Sequence, residues 1–153
     1  MHELLELNLC MVQGSLFELS LEMGYGSKVF INTFMRSKYA ANLDMSYQKL
    51  QWMGEEYIME VIADELRDKL TAGEQYSSDA LYWIGYTYRY WHFLTGESSK
   101  DISRQAPADV MHRVYPAYHT FANPDLAIER LKEYAKDRAA KKKSAKRDRE
   151  QKH

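Results

Sequence analysis

The chain has 153 residues, of which 45% are hydrophobic and 13% aromatic, and this is enough for one globular domain with a hydrophobic core. Its only cysteine, Cys10, excludes an internal disulfide and is typical of a reducing compartment. We expect no signal peptide, and the sequence contains no apolar run near the roughly eighteen residues that cross a bilayer. We therefore expect a cytoplasmic protein with no membrane contact.

The formal net charge of −1 conceals a division of charge along the chain. Residues 132–153 contain ten Lys/Arg and four Asp/Glu, a charge of +6, whereas the remaining 131 residues contain eleven and eighteen, a charge of −7. An acidic body therefore carries a basic tail. Because the apolar stripe disappears after Ala135, we predict a helical domain at 1–135 and a basic tail at 136–153 that is frayed helix or disordered.

Two helices and a brief helical turn are predicted before residue 45. In the first helix, apolar residues recur at steps of three and four, and they are Leu5, Leu9, Val12, Leu16, Leu19 and Met23. We expect Gly14 to break this helix and residues 24–26 to end it. We expect Ser27 to cap a helix from 28 to 35, which the helical turn at 39–43 follows.

The next predicted helix, from about 46 to 70, carries a row of carboxylates. Glu56, Glu60 and Asp64 follow one another at intervals of four and share its outer face. Like charges at this spacing disfavour a helix slightly, so the row is either a solvated face or a ridge that receives a basic partner. The three residues are candidate partner-binding residues.

The fold is expected to be organised around the aromatic stretch Ala80–Gly96, ALYWIGYTYRYWHFLTG. Its alternating tyrosines are compatible with a strand, but its length, an N-cap at Ser77 or Ser78 and a terminating Gly96 favour a helix. A helix that is apolar nearly all round is a buried one. Gly85 costs roughly 1 kcal/mol relative to alanine, which is explained if another helix crosses closely there.

Arg89 lies among these aromatic residues and needs a partner if it is buried, because an unpaired interior charge is very unfavourable. We expect Glu55 or Glu56 to supply the carboxylate. Arg89 is either structural, as an ion pair or with its stem reaching to water, or it contacts a partner together with Tyr90 and His92.

Two start signals frame the C-terminal half of the chain. Ser98 and Asp101, three residues apart, form a capping box that opens a short helix ending at Ala106. Asn123-Pro124 supplies an N-cap residue followed by proline at the first helical position, and it predicts the start of the last helix.

The segment 98–119 has the outline of a helix-turn-helix, with a break at Pro107 and a second helix that carries Arg113. Asp109 occupies the part of that helix where base contacts are usually made, and most cations lie in the tail instead. A DNA-binding regulator would therefore combine Arg113 with the tail, where the candidate contacts are Lys141, Lys142, Lys143, Lys146 and Arg147. The tail is equally able to dock on an acidic partner or to act as a solubilising end.

The sequence contains no recognisable catalytic or metal-binding pattern. His92, His112 and His119 lack paired His or Cys spacing, so no metal site is predicted. Cys10 has no cation or histidine near it in the sequence, and no glycine-rich phosphate loop is present. We predict no enzyme activity, no catalytic residue and no cofactor, because a site built around Arg89 would lack a visible nucleophile–base pair.

Three stretches carry a resemblance to a known family, and they are GSLFELSLEMGYGSKVFINTFMRS, QWMGEEYIMEVI, and YWIGYTYRYWHFLTGESSKDI together with the AIERL of the last helix. They resemble small bacterial helical proteins on the antitoxin side of toxin–antitoxin modules, whose toxins resemble ADP-ribosyltransferases. The resemblance spans roughly Leu5 to Leu131 and leaves out the tail. It implies a non-enzymatic protein that binds a partner toxin and blocks its active site.

These observations predict an all-α protein, a single compact bundle of about six helices around a buried aromatic-rich central helix, with a basic C-terminal extension. The predicted function is that of an antitoxin-like protein that neutralises a partner toxin by direct contact. The alternative is a helix-turn-helix transcriptional regulator that uses residues 98–119 and the tail.

Overall fold

The computed structural model describes residues 2–45 and 54–151, which form eight α-helices and no strand. The helices are α1 (His2–Leu19), α2 (Ser27–Met35), α3 (Lys38–Asp44), α4 (Glu55–Leu66), α5 (Ser78–Thr95), α6 (Ser99–Gln105), α7 (Ala108–Tyr118) and α8 (Pro124–Gln151). The predicted all-α class is confirmed. The eight helices of the described residues exceed the expected total of about six, and the helical turn predicted at 39–43 is the seven-residue helix α3.

The aromatic stretch is the central helix, as predicted, and the strand interpretation is wrong. Ser77 accepts a hydrogen bond from the backbone N–H of Ala80, and Gly96 ends the helix in the left-handed conformation with φ 77°. α5 packs against α1, α6, α7 and α8. One of its faces is buried completely, and the largest side chains on that face are Leu81, Ile84, Tyr88 and Trp91. The opposite face, which includes Tyr86 and Phe93, is only partly covered.

α1 and α5 cross closely at a pair of glycines, which confirms the interpretation of Gly85. A Cβ atom at Gly85 would lie 2.7 Å from the carbonyl oxygen of Gln13 and 3.0 Å from the Cα atom of Gly14. The prediction that Gly14 breaks the first helix is wrong, because α1 runs unbroken through it. Gly14 instead lets the ring of Tyr82 approach, since an added Cβ would lie 2.8 Å from that ring.

The core-facing side of α1 differs from the predicted stripe. The buried residues of this helix are Leu9, Cys10, Gln13, Gly14, Leu16 and Phe17. Leu5, which the stripe placed in the core, is 39% exposed, and Met23, which lies beyond the end of the helix, is 43% exposed. The apolar residues of the first two turns therefore do not all face the core, and some of them are exposed on the surface.

Several predicted helix starts are confirmed and one is wrong. Ser98 accepts a hydrogen bond from the backbone N–H of Asp101, and α8 begins at Pro124. The N-cap of α2 is Gly26, whereas Ser27 is buried and accepts a hydrogen bond from the backbone N–H of Tyr76. Ser27 thus anchors the segment before α5 instead of capping α2.

The predicted helix at 46–70 is too long, because Gly54 is extended and α4 spans only Glu55–Leu66. Residues 46–53 lie outside the described part of the chain. At the other end, α8 is one helix of 28 residues, so residues 136–151 continue it. Its last buried residue is Leu131, and every side chain from Ala139 to Gln151 is exposed. The division into a domain at 1–135 and a tail at 136–153 stays a prediction.

Candidate interaction surface

Arg89 is completely buried and is held by side chains from three other helices. Its Nε donates to Oε1 of Gln13 at 2.9 Å, its Nη1 to Oδ1 of Asp44 at 2.7 Å and its Nη2 to Oγ of Ser99 at 3.2 Å. Ser99 in turn donates its hydroxyl and its backbone N–H to the carboxylate of Asp44, at 2.7 and 2.8 Å. These four residues, which we call the Arg89 cluster, join α1, α3, α5 and α6.

The prediction that Glu55 or Glu56 pairs with Arg89 is wrong, because the carboxylate partner is Asp44. Glu56 is exposed on α4, and the side chain of Glu55 lies outside what the structure describes. Burial lowers the pKa of Arg89, and the attraction of Asp44 opposes that shift. With 0% of its side chain exposed, Arg89 presents no surface that a partner could touch on the folded chain.

The other two residues predicted beside Arg89 are partly exposed. Nδ1 of His92 lies 2.7 Å from the carbonyl oxygen of Glu97 and 3.6 Å from Oδ1 of Asp44. The hydroxyl of Tyr90 donates to Asp125 at 2.5 Å, and this bond, together with burial, raises the pKa of Tyr90 to about 12. The predicted trio is therefore split between the interior, which holds Arg89, and the partly exposed surface.

An exposed apolar surface lies where the N-terminal turns of α1 meet the C-terminal turns of α5. Leu4 is 76% exposed, Met11 51% and Leu94 48%, and Leu7 is also exposed. Between the two helices runs a groove of about 400 Å³, and its lining residues are Glu6, Leu7, Cys10, Tyr90, Phe93 and Leu94. We call these lining residues, with Leu4 and Met11, the α1–α5 surface. Exposed apolar patches of this kind mark interaction sites in soluble proteins.

The α1–α5 surface contains a buried thiol and adjoins a row of tyrosines. Burial raises the pKa of Cys10 to about 12, so its thiol stays protonated and is a poor nucleophile. A row of tyrosines, Tyr82, Tyr86 and Tyr90, borders the groove along α5 with ring centroids 6.1 and 6.3 Å apart. Aromatic side chains that combine apolar area with a polar tip are enriched at protein interfaces.

The carboxylates of α4 form a second exposed feature. Glu56, Glu60 and Asp64 are all exposed, as their spacing predicted. Asp64 accepts a hydrogen bond from Arg67 at 2.6 Å, with both side chains 75% exposed. Glu56 also borders a shallow depression that Glu18 and Glu22 of the first helix region line, so the negative charge extends beyond α4.

The segment predicted as a helix-turn-helix forms two consecutive helices, α6 and α7, and two of its arginines face carboxylates of their own helix. Arg104 lies 3.4 Å from Asp101, and Arg113 lies 3.8 Å from Asp109. The tail residues proposed for nucleic acid, in contrast, are all exposed on the last turns of α8. The tail therefore presents more unpaired positive charge than the α6–α7 segment does.

Glu97 ties the end of α5 to α6 and α8. Its carboxylate accepts hydrogen bonds from Trp91 at 3.1 Å, from Gln105 at 2.5 Å and from the ammonium group of Lys132. Burial alone would raise the pKa of Glu97, but the hydrogen bonds from Lys132, Trp91 and Gln105 outweigh it and lower the pKa from 4.5 to about 2. The ionised form is therefore the one that the fold favours.

We expect the substitution Glu97→Gln to reduce the free energy of unfolding near pH 7 by roughly 1–3 kcal/mol, because hydrogen bonds to a charged group are lost. The folded pKa is the lower one, so this advantage of the wild type is present above pH 4.5 and disappears as the pH falls towards 2. Urea unfolding of both proteins between pH 7 and pH 2 measures the difference. Glu133→Gln, at an exposed position of α8, is the control, and a pH-independent difference for Glu97→Gln would contradict the assignment.

Within residues 2–45 and 54–151, no three His, Cys, Asp or Glu side chains are grouped so as to hold a metal ion. None of the described helices is long and apolar enough to cross a membrane. No protein-family model matches the chain, and no curated protein or solved structure matches it significantly either. The fold and the surfaces above are therefore the basis for a functional proposal.

The sequence contains an indication of the α1–α5 surface that the apolar stripe predicted for the first helix does not include. Leu4, Leu5, Leu7, Leu9 and Met11 spread apolar side chains over more than half the circumference of the first turns of α1. So wide an apolar face has to be covered completely by the fold or to offer part of itself to a partner. Only contacts between distant parts of the chain decide which side that is.

Proposed function

We propose that this protein is an antitoxin-like binding protein that neutralises a cognate toxin by direct contact, and that the α1–α5 surface is where the toxin docks. The observation that carries the proposal is the exposure of Leu7 and Leu94 in one groove, together with that of Leu4 and Met11, which lie three and four residues from Leu7 on α1. Leaving these side chains in water costs free energy that a partner recovers by covering them. The bacterial setting and the ADP-ribosyltransferase-like partner follow from the resemblance described above, and the cytoplasmic setting follows from the cysteine content and the apolar pattern of the sequence. All three belong to the same proposal.

The composition of the α1–α5 surface suits a specific and tight contact. Leucines supply aliphatic area, Tyr90 and Phe93 add aromatic side chains, and Glu6 adds a charge. Interfaces with an apolar centre and a polar rim concentrate their binding energy in a few central side chains. A partner with a complementary apolar projection would bury these side chains together.

The acidic ridge of Glu56, Glu60 and Asp64 supplies a charge contact in the same proposal. A toxin with a nucleotide-binding cleft presents cations that hold phosphates, and a row of carboxylates is able to occupy them as a phosphate mimic. Such a contact raises the association rate and makes it sensitive to salt. It is secondary to the apolar surface, since exposed charge pairs contribute little affinity by themselves.

The alternative of a helix-turn-helix regulator has less support from the contacts of α6 and α7. Arg104 and Arg113 are each paired with a carboxylate of their own helix, and Asp109 sits in the first turn of α7. A reading helix needs several cations directed at phosphates on either side of it. The feature that favours nucleic-acid binding is the exposed basic end of α8.

The test is co-expression of the chain with the product of the neighbouring gene, followed by co-purification and measurement of the dissociation constant. We expect the pair Leu7→Glu and Leu94→Glu to weaken binding by about a hundredfold or more, because two charges would be forced into the apolar centre. Met23→Glu is the matched control, since Met23 is similarly exposed at the far end of α1. In cells that express the toxin, the wild type and Met23→Glu should relieve growth arrest, and the Leu7→Glu, Leu94→Glu protein should relieve it much less.

Two outcomes would contradict the proposal: unchanged binding by the Leu7→Glu, Leu94→Glu protein, or equal weakening by Met23→Glu. Unfolding curves check that each variant is folded, and little loss is expected because both leucines are exposed. Charge reversal at Glu56, Glu60 and Asp64 in the same assay decides whether the ridge takes part. Undiminished binding and salt sensitivity would remove the ridge from the interface.

A further inference from the structure

The part of α8 beyond its last contact with the body is a basic helix that stands free of the fold. Arg138 is the last tether, because its Nη2 donates to the carbonyl oxygen of Gln105 at 3.2 Å. From residue 139 to residue 151 every side chain is exposed. At about 1.5 Å per residue this segment, which we call the basic extension, is about 20 Å long.

The basic extension carries more positive charge than its own carboxylates can neutralise. Residues 139–151 contain six Lys/Arg and two Asp/Glu, a charge of +4. Lys142 and Lys146, and likewise Lys143 and Arg147, are like charges four residues apart, a spacing that destabilises a helix. The segment keeps helix-forming residues but has no packing to stabilise it, so an anionic ligand would stabilise the helix by neutralising these pairs.

We propose that the basic extension binds the phosphate backbone of a nucleic-acid duplex without reading its sequence. Four lysines and two arginines within thirteen residues supply the cations that phosphate neutralisation requires. Its cations include Lys141, Lys142 and Lys143 at successive positions, so they spread around the helix and do not form the single face that would enter a groove to read bases. This inference does not depend on the proposed toxin binding.

The chemistry of the basic extension favours phosphates over a protein or a lipid surface. Its only apolar side chains are alanines, so it has no anchor for the apolar centre of a protein interface, where lysine is depleted. A helix that lies on a membrane needs a large apolar face, which this segment lacks. The remaining body carries −7 up to residue 131, so phosphates are repelled from it and contact is confined to the extension.

The experiment uses the full chain and two labelled 20-base-pair duplexes of arbitrary sequence, one DNA and one RNA, in fluorescence polarisation. We expect both to bind at 50 mM salt, and the affinity to fall about 10²- to 10³-fold by 200 mM salt if about five phosphates are neutralised. Lys142→Gln, Lys143→Gln and Lys146→Gln together should weaken binding at least tenfold and reduce the salt slope by nearly 3. The matched control, Lys28→Gln, Lys38→Gln and Lys69→Gln, changes the charge equally on the body and should bind as the wild type does.

The experiment distinguishes DNA from RNA as the ligand, and it distinguishes both from an acidic protein. Equal binding of the two duplexes, or a preference for one, supports the proposal and identifies the nucleic acid. Absence of binding to both duplexes at 50 mM salt overturns it, as does equal weakening by the control triple variant. Displacement of the duplex by polyglutamate at equal charge concentration also overturns it, in favour of an acidic protein surface.

Discussion

The substitution Asp44→Ala is expected to lower the free energy of unfolding by about 3–5 kcal/mol, the usual cost of removing one partner of a buried ion pair. Asp44 accepts three hydrogen bonds within the Arg89 cluster, from Nη1 of Arg89 and from the hydroxyl and backbone N–H of Ser99, and Nδ1 of His92 lies 3.6 Å from its carboxylate. Without it the guanidinium of Arg89 stays buried with only neutral partners. That charge then destabilises the folded state alone, because in the unfolded chain it is hydrated.

Urea or thermal unfolding of purified protein measures this loss. Asp64→Ala is the matched control, because it removes a carboxylate from the Arg67 pair, in which both side chains are 75% exposed, and such pairs contribute at most about 1 kcal/mol. The double substitution Asp44→Ala, Arg89→Met should recover part of the loss, since the unpaired charge is removed as well. A cost for Asp44→Ala no larger than that of Asp64→Ala would mean that Arg89 is not held by this carboxylate.

The central helix was predictable because local signals agreed. The cap at Ser77, the terminating Gly96 and the length of the segment all indicated a helix, and the buried face Leu81, Ile84, Tyr88 and Trp91 follows from a period of 3.6. A glycine within such a helix also indicated a close crossing at Gly85. These features depend on residues that are near one another in sequence.

The partner of Arg89 was not predictable in the same way. Asp44 and Arg89 are 45 positions apart, and a sequence alone does not show which of several carboxylates the fold brings to a buried guanidinium. Ser99 and Gln13 were missed for the same reason, because an uncharged polar residue in a helix gives no sign of its burial. The sequence showed that Arg89 needs a partner, and only the packing of α1, α3 and α6 against α5 shows which.

The candidate binding surface was predicted only in part. The exposure of Glu56, Glu60 and Asp64 follows from their spacing, whereas the α1–α5 surface depends on which side of α1 the crossing at Gly14 and Gly85 turns inward. That crossing places Gln13 and Phe17 in the core, and it leaves Leu4 and Met11 in solvent. The same glycine contact therefore sets both the core and the surface proposed to bind a partner.

This contact gives the second large prediction. We expect Gly85→Ala to lower the free energy of unfolding by about 1–3 kcal/mol, the usual range for overpacking a core. The added Cβ would lie 2.7 Å from the carbonyl oxygen of Gln13, 2.9 Å from the ring of Phe17 and 3.0 Å from the Cα atom of Gly14. Two of these atoms belong to the backbone of α1, so a rotamer change cannot relieve the clash. The loss should exceed the gain of about 1 kcal/mol that alanine brings to an exposed helix.

The effect should be larger for Gly85→Val, because its two further methyl groups enter the same closed space. Gly73→Ala is the control, since its Cβ would meet only the Cα atom of Gly26 at an ordinary 3.5 Å, and a change within about 0.5 kcal/mol is expected. If urea unfolding shows the Gly85→Ala protein to be as stable as the wild type, the close crossing of α1 and α5 is contradicted.

The crossing and the Arg89 cluster share one residue, which makes their energies interdependent. Gln13 donates from Nε2 to the carbonyl oxygen of Gly85 at 3.0 Å and accepts from Arg89 at 2.9 Å. Moving α1 away from α5 stretches both bonds, so Gly85→Ala also weakens the support of Arg89. The double substitution Gly85→Ala, Asp44→Ala should therefore cost less than the sum of its two single losses, because each removes part of the same arrangement. Strict additivity would show that Gln13 does not transmit the displacement.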